Sequence, residues 1–122
     1  MITIIDETVI LRYLLKDDEV QYQSAHLLIS SGNAYTYPEI IARVAVTLRD
    51  VYFVPHFAIS HAINALVEDV NIREEDAVKL ACRFFVSRPL DFTDSLILAR
   101  HILRGYKVLS FDKVMLNKLL GT

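Results

Sequence analysis

Apolar positions along this chain follow two rhythms, and the switches between them mark out its elements. The β-branched run "ITII", residues 2–5, stops at Asp6 and reads as a short buried strand. From Thr8 the spacing turns helical, with Val9, Ile10, Tyr13 and Leu14 on one side. "KDDE" breaks that helix, and Asp17 or Asp18 caps a second one, which turns Tyr22, Ala25, Leu28 and Ile29 inward and stops at Gly32. "AYTY", residues 34–37, alternates like a strand, and Pro38 suits the first turn of the next helix. There Ile41, Val44, Ala45, Leu48 and Tyr52 recur at helical spacing, Glu39, Arg43 and Asp50 lie opposite, and Pro55 is the stop. A further helix spans Phe57 to Val67, and "VNI", residues 70–72, is a brief strand. "REEDAVKLACRFFV" predicts an amphipathic helix burying Ala77, Leu80, Ala81 and Phe84, closed by Pro89. The chain continues as a helix over 91–104 with Gly105 as its stop, a strand over 107–110, and a last helix from Asp112.

Short strands separated by helices imply an α/β fold in which a small, mostly parallel sheet is covered by helices on both faces. The length, 122 residues, makes 1–122 a single domain. Composition sharpens this picture. Hydrophobic residues make up 53% of the chain and mean hydropathy is +0.34. No apolar run approaches the roughly 20 residues that a spanning helix needs. The surplus, including Tyr13, Tyr52, Phe53 and Phe57, points to a filled core plus a subunit interface, with no membrane. The apolar start has no basic segment before it and is interrupted by Asp6 and Glu7, so it does not read as a signal peptide. The single Cys82 forms no internal disulfide and fits a reducing, cytoplasmic setting. A net charge of −2 argues against a general electrostatic grip on nucleic acid.

Charge placement raises a more specific possibility. Ligands of open parallel sheets sit beyond the C-terminal strand ends, where helix N-termini also point. Asp6 ends the first strand, Asp91 and Asp94 open the helix over 91–104, and Asp112 follows the strand over 107–110. Each is explicable alone as a helix cap or a first-turn carboxylate. Asp6 is the hardest to explain so, because a buried strand end is a costly place for a lone charge. Three carboxylates at one edge form a site for a hard cation such as Mg²⁺ or Mn²⁺. Such a cation activates water against a phosphodiester.

The stretches "IIDETVILRYLLKDD" and "DFTDSLILARHILRGYKVLSFDK", with the helix order between them, resemble a PIN domain of the VapC toxin type over essentially the whole chain. That resemblance implies a three-layer α/β/α sandwich and a metal-dependent ribonuclease of a toxin–antitoxin pair. It also implies a homodimer and an antitoxin peptide as partners, beside RNA as substrate. Carried over by position, Asp6, Asp94 and Asp112 are the catalytic metal ligands, with Asp91 and Ser110 in support. Thr8 stands where the family has Asn or Ser. The family's helix glutamate corresponds to Arg43, within "ARVAVTL".

An arginine there inverts the electrostatics, since its guanidinium stays charged. Three outcomes are open. Arg43 pairs with Asp6 or Asp94 and replaces the metal, leaving a degenerate PIN domain that binds RNA or protein. It lies on a solvated face, paired with Glu39. Or Glu39, one turn earlier, substitutes for the missing acid. The four histidines share no ligand spacing with Cys82, and neither a phosphate-binding glycine loop nor a nucleophile elbow is present.

Overall fold

The computed structural model describes residues 1–88, 90–113 and 117. Its elements follow the order β1 (Thr3–Ile4), α1 (Glu7–Leu15), α2 (Glu19–Ser30), β2 (Ala34–Thr36), α3 (Pro38–Asp50), α4 (His56–Asp69), β3 (Asn71–Ile72), α5 (Glu75–Ser87) and α6 (Phe92–Arg104). The cap chemistry explains most boundaries. Asp18 is the N-cap of α2, accepting from the Gln21 amide. Pro38 occupies the first turn of α3, where a missing N–H costs nothing. Gly105 ends α6 with φ +67, a conformation that disfavours other residues.

The sheet is parallel throughout, in the order β1-β2-β3, with Thr3 opposite Ala34 and Thr36 opposite Ile72. The buried Thr36 hydroxyl donates to the Ile5 carbonyl at 3.1 Å and so ties together the ends of β1 and β2. Thr3 and Ile4 are exposed, in contrast to the buried strand expected over 2–5; only Ile5 is buried there.

The three-layer α/β/α sandwich is not what forms. The molecule is mainly helical, with six helices and a sheet of strands two or three residues long among the described residues. Strands this short offer little surface for a layer of helices on each face, so helices pack chiefly on one another. The pairs α5–α6, α1–α2 and α4–α5 are the most extensively packed. The strand expected over 107–110 is absent: Leu109 is 83% exposed, and the side chain of Val108 packs beside Leu90 and Leu98. The expected end at Pro89 and most of the helix from Asp112 lie outside the described residues.

The core gathers Ile10, Ile41, Val44, Ile59, Ile63, Val78, Phe85 and Phe92 from α1, α3, α4, α5 and α6. Phe85 and Phe92 meet edge-to-face with ring centroids 5.6 Å apart. Cys82 is fully buried, and the Ser60 hydroxyl donates to its carbonyl. On α5 the buried stripe is Ala77, Val78, Ala81, Cys82 and Phe85, while Leu80 and Phe84 lie at its margin. α3 ends at Asp50, ahead of Pro55, and leaves Val51, Tyr52, Phe53 and Phe57 exposed. No helix among the described residues is long and apolar enough to cross a membrane.

Candidate functional site

Parallel pairing sends α1 and α3 out from the same end of β1 and β2, and α6 brings its first turns to the same place. The result is a cleft of about 540 Å³. Glu7 of α1, Glu39 and Arg43 of α3, and Thr93 and Arg100 of α6 line it, over a floor that includes Ala42, Val46, Leu96 and Ile97.

Two ion-pair systems border the cleft. Arg43 Nη1 lies 3.6 Å from Glu7 Oε1, and the Arg43 side chain is 72% exposed. Across the cleft, Arg100 Nη1 donates to Glu39 Oε2 at 2.8 Å. The same guanidinium grips Glu74 with two bonds, Nε to Oε1 at 3.1 Å and Nη2 to Oε2 at 2.7 Å. One turn on, Arg104 donates to Asp76 at 2.8 and 3.2 Å. Hydrogen bonds from Arg100 hold the carboxyls of Glu39 and Glu74 below the usual glutamate range, and Arg104 does the same for Asp76.

Of the sequence-predicted carboxylates, Asp6 and Asp91 act as helix caps. Asp6 is exposed, not buried, and caps α1: its Oδ1 accepts from the Thr8 amide, the Thr8 hydroxyl and the Val9 amide. The hydroxyl of Thr8 is the largest cause of the lowered Asp6 pKa. The desolvation argument that set Asp6 apart therefore fails, because water and three donors stabilise its charge. Asp91 caps α6 by accepting from the Asp94 amide at 2.9 Å, and the Ser110 hydroxyl accepts from the Asp112 amide at 3.0 Å.

Arg43 lies on a solvated face, as the second outcome has it, but its ion-pair partner is Glu7 and not Glu39. Glu39 is engaged by Arg100 rather than by Arg43. Among the described residues, no three His, Cys, Asp or Glu side chains are grouped so as to hold a metal ion. Asp6 is committed to its cap and two arginines line the adjoining cleft, an arrangement that disfavours a divalent cation in the cleft itself.

Glu7, Glu74 and Thr93 are the residues that sequence reasoning missed. The i, i+4 spacing of Arg100 and Arg104 hinted at a shared face of α6 but not at its acidic partners. Compared with known proteins, the chain matches no family model, no curated protein and no solved structure.

Proposed function

We propose that this chain is a PIN-related protein of the VapC toxin type whose cleft binds a partner without metal, in place of cutting RNA. The observation that carries this reading is the placement of Arg43. A cation stands where the resemblance puts a metal-ligating acid, and it is ion-paired with Glu7. A guanidinium at such a place repels a divalent cation and compensates nearby carboxylates in its stead.

The partner is a polypeptide rather than RNA. A net charge of −2 opposes a phosphate backbone, the cleft arginines Arg43 and Arg100 are already engaged by Glu7 and Glu39, and the cleft floor is apolar. The exposed Val51, Tyr52, Phe53 and Phe57 give such a partner, an antitoxin or a second copy of the chain, further apolar surface.

A second reading keeps the nuclease. It is favoured by sequence alone: Asp6 and Asp94 are the chain neighbours of the cleft residues Glu7 and Thr93. In that reading Asp6, Asp94 and Asp112 would hold Mg²⁺ or Mn²⁺, whose chemistry there would be activation of water against a phosphodiester.

Calorimetric titration of Mn²⁺ into wild type, Arg43→Glu and Asp94→Asn separates the two. The binding reading expects no heat from wild type at millimolar Mn²⁺ and a new site in Arg43→Glu. Wild-type binding that Asp94→Asn abolishes, together with RNA cleavage, overturns it in favour of the nuclease.

A further inference from the structure

We propose that the free edge of β1 is a docking surface for a second copy of this chain, pairing antiparallel through Ile2, Thr3 and Ile4 about a two-fold axis. The surface is not that of the cleft, whose lining includes none of these residues, so the proposal stands apart from the reading of the cleft.

Helices cover only one face of the sheet. Ile5, Ala34, Thr36 and Ile72 are buried on that face. The opposite face carries the cross-strand row Ile4, Tyr35 and Asn71, set by the register of the two ladders. Ile4 is 60% exposed there and Ile2 is 65% exposed. Parallel sheets are ordinarily buried on both faces, so this one retains apolar surface to bury. β1 also stands at the edge of the sheet, with no strand beyond it among the described residues. The amides of Thr3 and Ile5 donate inward, to the carbonyls of Asn33 and Tyr35. By the alternation along a strand, the N–H and C=O groups of Ile2 and Ile4 therefore point to the open edge. Natural sheet edges are commonly blunted by lysine, proline or a bulge. Residues 1–5, "MITII", hold no proline and no charged side chain.

A second copy fits this edge because the edge is complementary to itself. In an antiparallel pair, residues whose polar groups point outward face each other and exchange both hydrogen bonds. Setting Ile2 of one copy opposite Ile4 of the other does this on both sides of the axis, and places the two Thr3 residues against each other upon it. The axis is normal to the sheet and keeps like faces together. The Ile2 and Ile4 side chains of both copies then join in one apolar row on the uncovered face. An uncharged edge sets no like charges against each other across the axis. So short an edge makes a small interface, below about 1,200 Å² in total, and hence a weak, reversible dimer.

Sedimentation velocity over a concentration series tests this. Wild type is expected to pass from monomer to dimer between about 10 and about 1,000 μM. Ile4→Pro removes an outward N–H and leaves the inward bonds of Thr3 and Ile5 in place, so it is expected to be folded and monomeric throughout. Ile4→Lys, which adds a charge at an exposed position, is expected to do the same. Phe53→Ser, on the separate apolar surface between α3 and α4, is expected to dimerise as wild type does. Cysteine cross-linking reads the register, with the native Cys82 buried out of reach. Opposed Thr3 residues would have Cα atoms about 4.5 Å apart, within disulfide reach, whereas the two Ile4 residues would lie about 7–8 Å apart, beyond it. Thr3→Cys is therefore expected to form a disulfide-linked dimer on oxidation, and Ile4→Cys is not. A wild type that stays monomeric overturns the proposal. So does a dimer that Phe53→Ser dissolves and the Ile4 variants retain, or cross-linking by Ile4→Cys without cross-linking by Thr3→Cys.

Discussion

Phe53 shows how much a single residue can be asked to bear. It sits between α3 and α4 with φ +56, in the left-handed region, although its side chain is 83% exposed. A non-glycine residue there costs on the order of 1–2 kcal/mol, and so little burial offsets little of that. Phe53→Gly is therefore expected to stabilise the fold by about 0.5 kcal/mol, after roughly 0.5–1 kcal/mol is lost to the freer unfolded chain. A small rise in thermal midpoint checks this. A fall would mean that the ring has a packing role. Glu74 has a comparable φ of +51 at the start of α5, but its carboxylate is held there by Arg100, so relief of strain at that position would come with loss of two bonds.

At the scale of elements, Arg100 joins three helices, running from α6 to Glu39 on α3 and to Glu74 at the start of α5. Arg100→Met keeps the aliphatic stem and removes the charge, leaving both glutamates without that partner. A loss of about 1–2 kcal/mol in urea unfolding is expected, moderated because the Glu39 side chain is 65% exposed. An unchanged midpoint would reduce these bonds to surface decoration. The elements themselves were largely legible in the sequence, because periodicity and caps are local signals. Asp18, Asp91, Gly32 and Gly105 sit where their cap or turn roles predict, with Gly32 and Gly105 at positive φ. The arginine bridges were not legible. They join positions 26 and 61 residues apart, and no local spacing encodes such a partnership. Arg43 was legible as an anomaly, whereas its partner Glu7 was passed over as a mere interruption of an apolar run.

The whole molecule departs most from its sequence reading in the layers. Alternation in "VNI" or "AYTY" reports that a strand exists but not how far it extends, and strands of two and three residues leave helix packing to organise the core. The same helical assembly sets a global pH response. The carboxyls of Glu39, Glu74 and Asp76 are depressed below their ordinary values of 4.5, 4.5 and 3.8 by arginine hydrogen bonds. Groups depressed on folding contribute their stability above the ordinary value and lose it as the pH falls through the folded one. Stability from these bridges is thus complete at neutral pH and declines once the pH drops below the ordinary values. Denaturant midpoints measured across that range should fall more steeply for wild type than for Arg100→Met; parallel curves would rule the bridges out as the cause.

The one thiol of the chain adds a further consequence. Cys82 of α5 lies fully buried, with Ser60 of α4 beside it, and burial pushes its pKa up to about 11. In the closed molecule it is both out of reach of a reagent and protonated, and only the thiolate reacts. Labelling by a chromogenic disulfide therefore waits for those helices to part. The native chain carries its own clock for that opening, readable without altering a residue.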